Sequence, residues 1–589
     1  MPEKETEKKR NRNNKKPNKR KKELQRFIIA VAVLFIIVIL GTVVLVKKYA
    51  PTKETMPLSE LYVTQAPDDA VVILNGDYRE LSEEEAYIPN GLIKSGAAYL
   101  YLDFLKDNLD DTYFYDNEEN ILRYVTDKDV ITATLGNAEY TINKDAASIN
   151  SPVVINEYGE PFIALDFIIQ YTDINYEIES DPNRILIEKA GWEKNISTLR
   201  GDVAIRRYGG VKSKILKQGL KNDKVAVLEN YGKWSKIITE DGVIGCVPNK
   251  RLAGAKTEEV PSHIVEREYN HILSDKTVVL AWQQMETAKG NSSIDSILAK
   301  DTGITVMSPT WFALSDNSGG LRSFADMDYV NKCHSAGIQV WALCSNLLVD
   351  GTNSNEILNV TSNRDNLVNN ILAQTIAYGI DGINIDFESL TPTAADGYIE
   401  FIRELSLRCE ANNIVLSVDN YVPAAYNSFY NRPEQAKFAD YVIMMGYDEH
   451  YGGSETAGPN ASLPYVKEGI EDMLEDVPAE QTILGMPFYM RIWTEDVNGN
   501  LSQQAMGMNK IDDYLVEHNA IRNWKDDLGL NYAEFLNEDK SVTKAWIEDE
   551  KSLEEKLNLI PTNKLGGAAF WKLGFETDSV WNLVKRYTK

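Results

Sequence analysis

Asp381-Gly382-Ile383-Asn384-Ile385-Asp386-Phe387-Glu388 alternates in character along its length. Asn384, Asp386 and Glu388 share one parity; Ile383, Ile385 and Phe387 share the other. In a strand these two sets point to opposite faces. One face is therefore apolar, and the other carries an amide followed by two acids. The preceding run, residues 371–380, ends in Tyr-Gly-Ile and reads as a buried helix-to-strand transition. Polar groups on a buried strand are costly unless each is hydrogen-bonded or put to use. The ladder also closes on a Glu at the strand's C-terminal end, where α/β barrels carry their chemistry.

Outward from this stretch, strand-like runs alternate with helical ones. The candidate strands begin with Val278-Val-Leu-Ala-Trp282, Ile304-Thr-Val-Met-Ser308, Ile338-Gln-Val-Trp-Ala-Leu343 and the ladder itself. They continue with Ile414-Val-Leu-Ser-Val418, Tyr441-Val-Ile-Met-Met445, Thr482-Ile-Leu-Gly-Met486 and Gly567-Ala-Ala-Phe-Trp571. Most are followed by amphipathic stretches such as 395–409 and 465–474. Eight β/α units over residues 275–589 predict a (β/α)8 TIM barrel. The longest gap separates the seventh and eighth strands, and its charged, mixed part at 500–550 predicts an insertion over the barrel mouth.

Four strand ends then form a pattern. The ladder resembles the Asp-Gly-x-Asp-x-Asp-x-Glu motif of glycoside hydrolase family 18. Met445-Gly-Tyr-Asp448 is similar to that family's Met-x-Tyr-Asp. Gly485-Met-Pro-Phe-Tyr-Met-Arg491 is similar to Gly-x-Pro-x-Tyr-x-Arg, and Gly566-Gly-Ala-Ala-Phe-Trp571 to Gly-Gly-x-x-x-Trp. The resemblance covers 275–589 and points to the bacterial envelope and spore-associated N-acetylglucosaminidase branch. It implies substrate-assisted retaining hydrolysis, in which the substrate's N-acetyl group replaces a second enzyme carboxylate. Glu388 would be acid and then base, Asp386 would orient the acetamido N–H, and Tyr447 would hold the acetamido carbonyl. Asp448 would contact the sugar and Trp571 would form the floor. Trp282, Trp311 and Tyr489 would be further subsite walls, with core packing the competing role for Tyr489 and for Trp493. Asp381 has the opposite parity and reads as a brace at the start of the strand. The chain departs from the family at Asn384, where Asp is usual. Asn384 is expected to donate an N–H to Asp386 and keep it ionised.

Composition sets the surroundings. At 589 residues the chain is multidomain, with three or four domains expected. Residues 1–26 hold 12 Lys/Arg against 4 Asp/Glu, whereas the whole chain is −26. The folded part is therefore strongly acidic, which argues against nucleic-acid binding. Residues 27–46 contain no charge and no proline. Twenty helical residues span about 30 Å, a bilayer's hydrocarbon core. The basic block before them predicts a cytoplasmic tail (1–26), an uncleaved single-pass membrane helix (27–46) and an extracytoplasmic remainder. Cys246, Cys333, Cys344 and Cys409 make no disulfide framework and read as small buried side chains. The five His show no metal-ligand spacing, so neither a metal nor another cofactor is expected.

Two further segments precede the barrel. Residues 60–190 read as an α+β domain, with helix-like stretches such as 101–109 among short strands. Within them Ser151-Pro-Val-Val-Ile-Asn-Glu-Tyr-Gly-Glu-Pro-Phe-Ile-Ala-Leu-Asp-Phe167 resembles the N-terminal domain of copper amine oxidases, a unit without the copper or quinone chemistry. Residues 198–255 read as a small all-β barrel with turns at Tyr231-Gly232 and Asp241-Gly242. Gly232, Trp234, Gly245 and Val247 resemble the pattern of bacterial SH3-like domains, which implies possible cell-wall binding; Trp234 itself reads as a core aromatic.

The expected partner is thus an N-acetylated glycan, either peptidoglycan or a chitin-like oligosaccharide. The reading from sequence is a membrane-anchored glycosidase cleaving β-1,4 bonds at N-acetylglucosamine in peptidoglycan. A chitinase or chito-oligosaccharide hydrolase is the alternative enzyme, and a non-catalytic glycan-binding wall protein the alternative of another class.

Overall fold

The computed structural model describes residues 19–78 and 87–588. Most of the basic tail, residues 1–18, lies outside the described residues. The chain forms two compact units, one of residues 1–101 with 165–264, the other of 102–164 with 265–589.

The first unit opens with the helix Lys19–Tyr49, whose apolar stretch is exposed along its length and long enough to cross a membrane. Its strands Ile174–Glu179, Arg184–Lys189, Asp69–Leu74, Gly91–Lys94 and Ala97–Tyr101 lie side by side in that order. The pairing of Asp69–Leu74 with Arg184–Lys189 is parallel, and its neighbours on either side are antiparallel. A second, seven-stranded antiparallel sheet runs from Glu193 to Glu259 around Leu199, Val203, Ile205, Val225, Ile237, Val247 and Leu252. Gly232 and Gly242 take positive φ in its hairpin turns, as the sequence predicts. Trp234 is only half-buried and stands outside that core, contrary to its reading as a core aromatic. It begins the central strand of the sheet, where its ring packs beside Gly209.

The second unit is built on eight parallel strands: β1 (Val278–Gln283), β2 (Val306–Pro309), β3 (Gln339–Ser345), β4 (Gly382–Asp386), β5 (Val415–Tyr421), β6 (Tyr441–Met445), β7 (Thr482–Pro487) and β8 (Gly567–Trp571). They pair in sequence, and β8 returns to β1, so the sheet closes into the TIM barrel expected from the sequence. Period-two alternation sorts the side chains. Val278, Leu280, Trp282, Trp341, Leu343, Tyr441, Ile443 and Ile483 fill the interior. Ile383, Ile385, Leu416, Val418, Val442 and Leu484 face the helices. The helix before β4, Thr361–Tyr378, ends at Gly379 with φ +65°, and the amides of Gly379 and Ile380 bond back to Ile376 and Thr375. This left-handed stop turns the chain into the ladder.

Two additions complete the unit. Five antiparallel strands between Phe114 and Ser148 pack on the barrel's helices. Here Phe114 covers the guanidinium of Arg364 at 4.4 Å. The insertion begins earlier than expected from the sequence. Strand Tyr489–Glu495 leaves the barrel directly after β7 and joins a five-stranded antiparallel sheet that ends at Ile547. Its alternation places Tyr489, Arg491 and Trp493 on one face.

Candidate active site

The C-terminal ends of β1, β3, β4, β5, β6 and β8, with Tyr489, surround a cavity of about 170 Å³. Its lining includes Trp282, Asp386, Glu388, Asp419, Tyr421 and Tyr447, with Asp448, Tyr489 and Trp571 completing the walls. Seven of the nine residues singled out in the sequence therefore meet here. Trp282 and Trp571 meet edge to face with ring centroids 6.0 Å apart, and Tyr447 and Tyr489 do likewise at 6.2 Å.

Glu388 lies two residues past β4, on backbone that is clamped from both sides. Asn346 Oδ1 accepts from the Glu388 amide at 2.9 Å, and Asn346 Nδ2 donates to the Glu388 carbonyl at 2.9 Å. Tyr421 Oη accepts from Ser389 N at 3.1 Å, and Tyr430 Oη donates to Phe387 O at 3.2 Å. Ser389 (φ +53°) and Asp448 (φ +60°) both hold left-handed backbone beside the cavity, a strained conformation that packed surroundings must enforce. Burial raises the Glu388 carboxyl above its ordinary range, the Asp448 charge adds to this, and a hydrogen bond from Tyr421 opposes it. Asp386 is pushed well above the carboxylate range, first by burial and then by the charges of Glu388 and Asp419.

Two residues from the sequence reading are placed differently. Trp311 is fully buried between barrel and helices; its Nε1 donates to Asn291 at 2.8 Å and its ring meets Tyr329 at 5.0 Å. Pro309, which ends β2, turns it away from the mouth. Asn384 is fully buried below the cavity rather than lining it. Its Oδ1 accepts from Trp282 Nε1 at 2.8 Å and from Ser308 Oγ at 3.2 Å. This fixes the amide, whose Nδ2 donates at 2.8 Å to Asp419 and not to Asp386. Asp386 therefore lacks the amide hydrogen bond expected to keep it ionised, and two carboxylates crowd it instead. Trp493 is core, bonded through Nε1 to Gly458 O at 2.8 Å. Asp381 accepts from Val340 N and contacts His334 Nε2, both at 2.8 Å, bracing the start of β4.

Sequence reasoning missed Asp419, Tyr421, Asn346 and Arg491. Ser417-x-Asp419-x-Tyr421 on β5 repeats the alternation of the β4 ladder, and that signal was available. Arg491 bonds Asp448 Oδ1 at 2.7 Å, and Tyr489 Oη donates to the same oxygen at 2.9 Å. Nothing in local spacing indicates that pairing. The site can supply a raised, positioned carboxyl above a polar floor with aromatic walls, the equipment for proton transfer to a sugar's leaving group. Among the described residues, no group of His, Cys, Asp and Glu is arranged to hold a metal ion.

A closed parallel barrel with an acidic, aromatic-walled mouth defines the class of barrel glycosidases. Residues 347–576 match the family described as Glycosyl hydrolases family 18, and residues 82–187 match the copper amine oxidase N-terminal domain. The barrel thus carries a domain of glycosyl hydrolase family 18. It is 24% identical over 316 residues to a Bacillus subtilis protein described as uncharacterized glycosylase YvbX, covering 51% of this chain and 90% of that one. It is 25% identical over 238 residues to the cortical fragment-lytic enzyme of the same organism, covering 39% and 54% respectively. Apart from YvbX, the chain thus spans about half the length of the bacillar relatives it matches. A chitinase structure from Chromobacterium violaceum aligns with 22% identity and a TM-score of 0.48, over 53% of this chain and 98% of that one.

Proposed function

We propose that the protein is a membrane-anchored extracytoplasmic glycosidase that hydrolyses β-1,4 linkages at N-acetylglucosamine in peptidoglycan by substrate-assisted retaining catalysis. Glu388 carries the reading: its carboxyl is raised by burial and its backbone is clamped at the barrel mouth. It protonates the glycosidic oxygen while the substrate's acetamido oxygen attacks the anomeric carbon. The resulting oxazolinium is opened by water with Glu388 as base. Asp386 receives the acetamido N–H, and Tyr447 Oη donates to the acetamido carbonyl. Trp571 and Trp282 floor the sugar ring, and Asp448, held by Tyr489 and Arg491, contacts it. Preorganised donors and acceptors of this kind stabilise charge that develops only in the transition state.

The helix Lys19–Tyr49, with its preceding basic block, supports a single-pass anchor with the N-terminus in the cytoplasm. That location and the relatives described as cortical fragment-lytic enzymes favour peptidoglycan. The half-exposed Trp234 leaves the SH3-like segment an aromatic for wall contact. The test compares purified sacculi with colloidal chitin and identifies the products by mass spectrometry. Faster release of reducing ends from sacculi, with N-acetylglucosamine at the new ends, is expected. Faster release from chitin would make it a chitinase, and wall binding without product would make it a lectin.

Tyr421→Phe checks the acid's tuning. Tyr421 donates to the Glu388 carboxylate and lowers its pKa. Without that bond Glu388 stays protonated to higher pH, so the alkaline limb of kcat/KM is expected to move upward. Loss of the backbone clamp should lower kcat roughly 10-fold, less than the about 10²-fold that a full misplacement or loss of an acid–base group costs. An alkaline limb that stays in place would remove Tyr421 from the tuning.

A further inference from the structure

Four carboxylates line the barrel mouth, Asp386, Glu388, Asp419 and Asp448, and the proposed chemistry uses all but Asp419. Asp419 lines the same cavity as Asp386 and Glu388 and is 3% exposed. On the paired strands β4 and β5 the last register pair is Ile385 with Val418. Asp386 and Asp419 are the next residues on each strand and share the inward parity. Adjacent strands lie about 4.8 Å apart, so the two side chains are immediate neighbours. The groups facing them are Glu388 on the β4 side, Tyr421 on β5, Tyr447 and Asp448 after β6, Tyr489 on the insertion strand, and Tyr398 and Tyr430 behind. Among the described residues, no Lys or Arg lines this cavity; Arg491, a cation bonded at its rim, binds Asp448. Two carboxylates so placed, with no cation between them, cannot both be ionised at low cost.

We propose that Asp419 is a positioning residue that holds one proton in common with Asp386, its charge anchored by the fixed Asn384 amide. The assignment rests on the glycosidase reading and deepens it. In the empty site the proton rests on Asp386, and Asp419 is the ionised partner, accepting from Asn384 Nδ2 at 2.8 Å. When substrate arrives the proton passes from an Asp386 oxygen to an Asp419 oxygen. The pair's charge stays at one negative, and Asp386 is left ionised to accept the acetamido N–H. Asn384 cannot take the proton, and its oxygen is already committed to Trp282 and Ser308. Glu388 has to carry its own proton as the acid, which leaves Asp419 to take this one.

The experiment measures kcat and KM against pH on a GlcNAc-containing glycan for wild type, Asp419→Asn, the exchange variant Asn384→Asp/Asp419→Asn, and Glu388→Gln. Asp419→Asn is expected to lower kcat roughly 10- to 100-fold, as misplacing a substrate-orienting group does, with KM within about threefold. Without Asp419 the pair's one negative charge falls on Asp386, two residues from Glu388 on the same strand, and holds the Glu388 proton to higher pH, so the alkaline limb of kcat/KM should move upward. The exchange variant reverses donor and acceptor across the same hydrogen bond and restores a carboxylate beside Asp386; it should recover most of kcat and the alkaline limb. Asp419→Asn with wild-type kcat and limb overturns the proposal. So does a loss of kcat with an unmoved limb that the exchange variant fails to rescue, which would mark Asp419 as structural only. Wild-type turnover in Glu388→Gln would instead overturn the underlying glycosidase reading.

Discussion

Glu388→Gln is expected to lower kcat on a GlcNAc-containing glycan by about 10²- to 10⁴-fold, the usual contribution of a positioned general acid–base, while glycan binding persists. The substitution keeps the side chain's shape and leaves the Asn346 clamp untouched, because that clamp grips the backbone of residue 388. It removes a raised carboxyl that faces the cavity from a clamped backbone. Gln can neither release a proton to the glycosidic oxygen nor take one from water. Because a neutral amide replaces a carboxyl crowded by Asp386 and Asp448, the folded state should not suffer. Thermal unfolding is expected at or above the wild-type temperature. Kinetics on defined muropeptides with product mass spectrometry would decide it; turnover within threefold of wild type would move the acid to another residue.

Glu404→Ala is expected to destabilise the barrel unit by about 3–5 kcal/mol, the cost of stranding a buried charge. Arg364 is 0% exposed. Its Nε and Nη2 donate to the two oxygens of Glu404 at 2.9 and 3.1 Å, and its Nη1 to Leu358 O at 2.7 Å. Arg123, from the antiparallel strands outside the barrel, reaches the same carboxylate at 3.5 Å. Removing Glu404 leaves the guanidinium buried with one hydrogen bond, to Leu358 O, under the Phe114 ring, and with Glu400 and Asp365 as more distant charges. The double replacement Arg364→Met/Glu404→Leu should regain most of the loss, because a buried pair is often replaceable by well-packed apolar groups although not by half of itself. Urea unfolding of the three forms measures both effects. A cost under 1 kcal/mol for Glu404→Ala would mean that water reaches Arg364.

The pH behaviour of the site follows from the same crowding. The folded pKa values of Asp386, Asp419 and Glu388 are raised. Their contribution to stability is therefore fully present below the ordinary carboxylate pKa and is lost as pH rises through the folded values. Asp419→Asn removes one of these groups, so its advantage over wild type in thermal unfolding should grow with pH. A structural role for Asp419 predicts the reverse.

The eight-residue ladder, and with it much of the fold, was legible in the chain. Within a strand the parity of a residue is a local property, so Asn384, Asp386 and Glu388 could be assigned to the inner face and Ile383 and Ile385 to the outer. The strand-end patterns around Tyr447, Asp448, Tyr489 and Trp571 converge because closing the barrel brings every C-terminal strand end to one mouth. Parity does not, however, say which inward group meets which. That depends on the stagger between strands and on where each chain leaves the barrel. Asn384 therefore bonds to Asp419, 35 residues on, rather than to Asp386. Pro309 turns Trp311 outward, and Tyr489 reaches the cavity from the first strand of the insertion, bringing Arg491 to Asp448. Local alternation was enough to read off the barrel and the inward face that carries Asp386 and Glu388. The hydrogen-bond partners of these carboxyls and their neighbours came from the folded chain, because bonds across strands are set by register and closure.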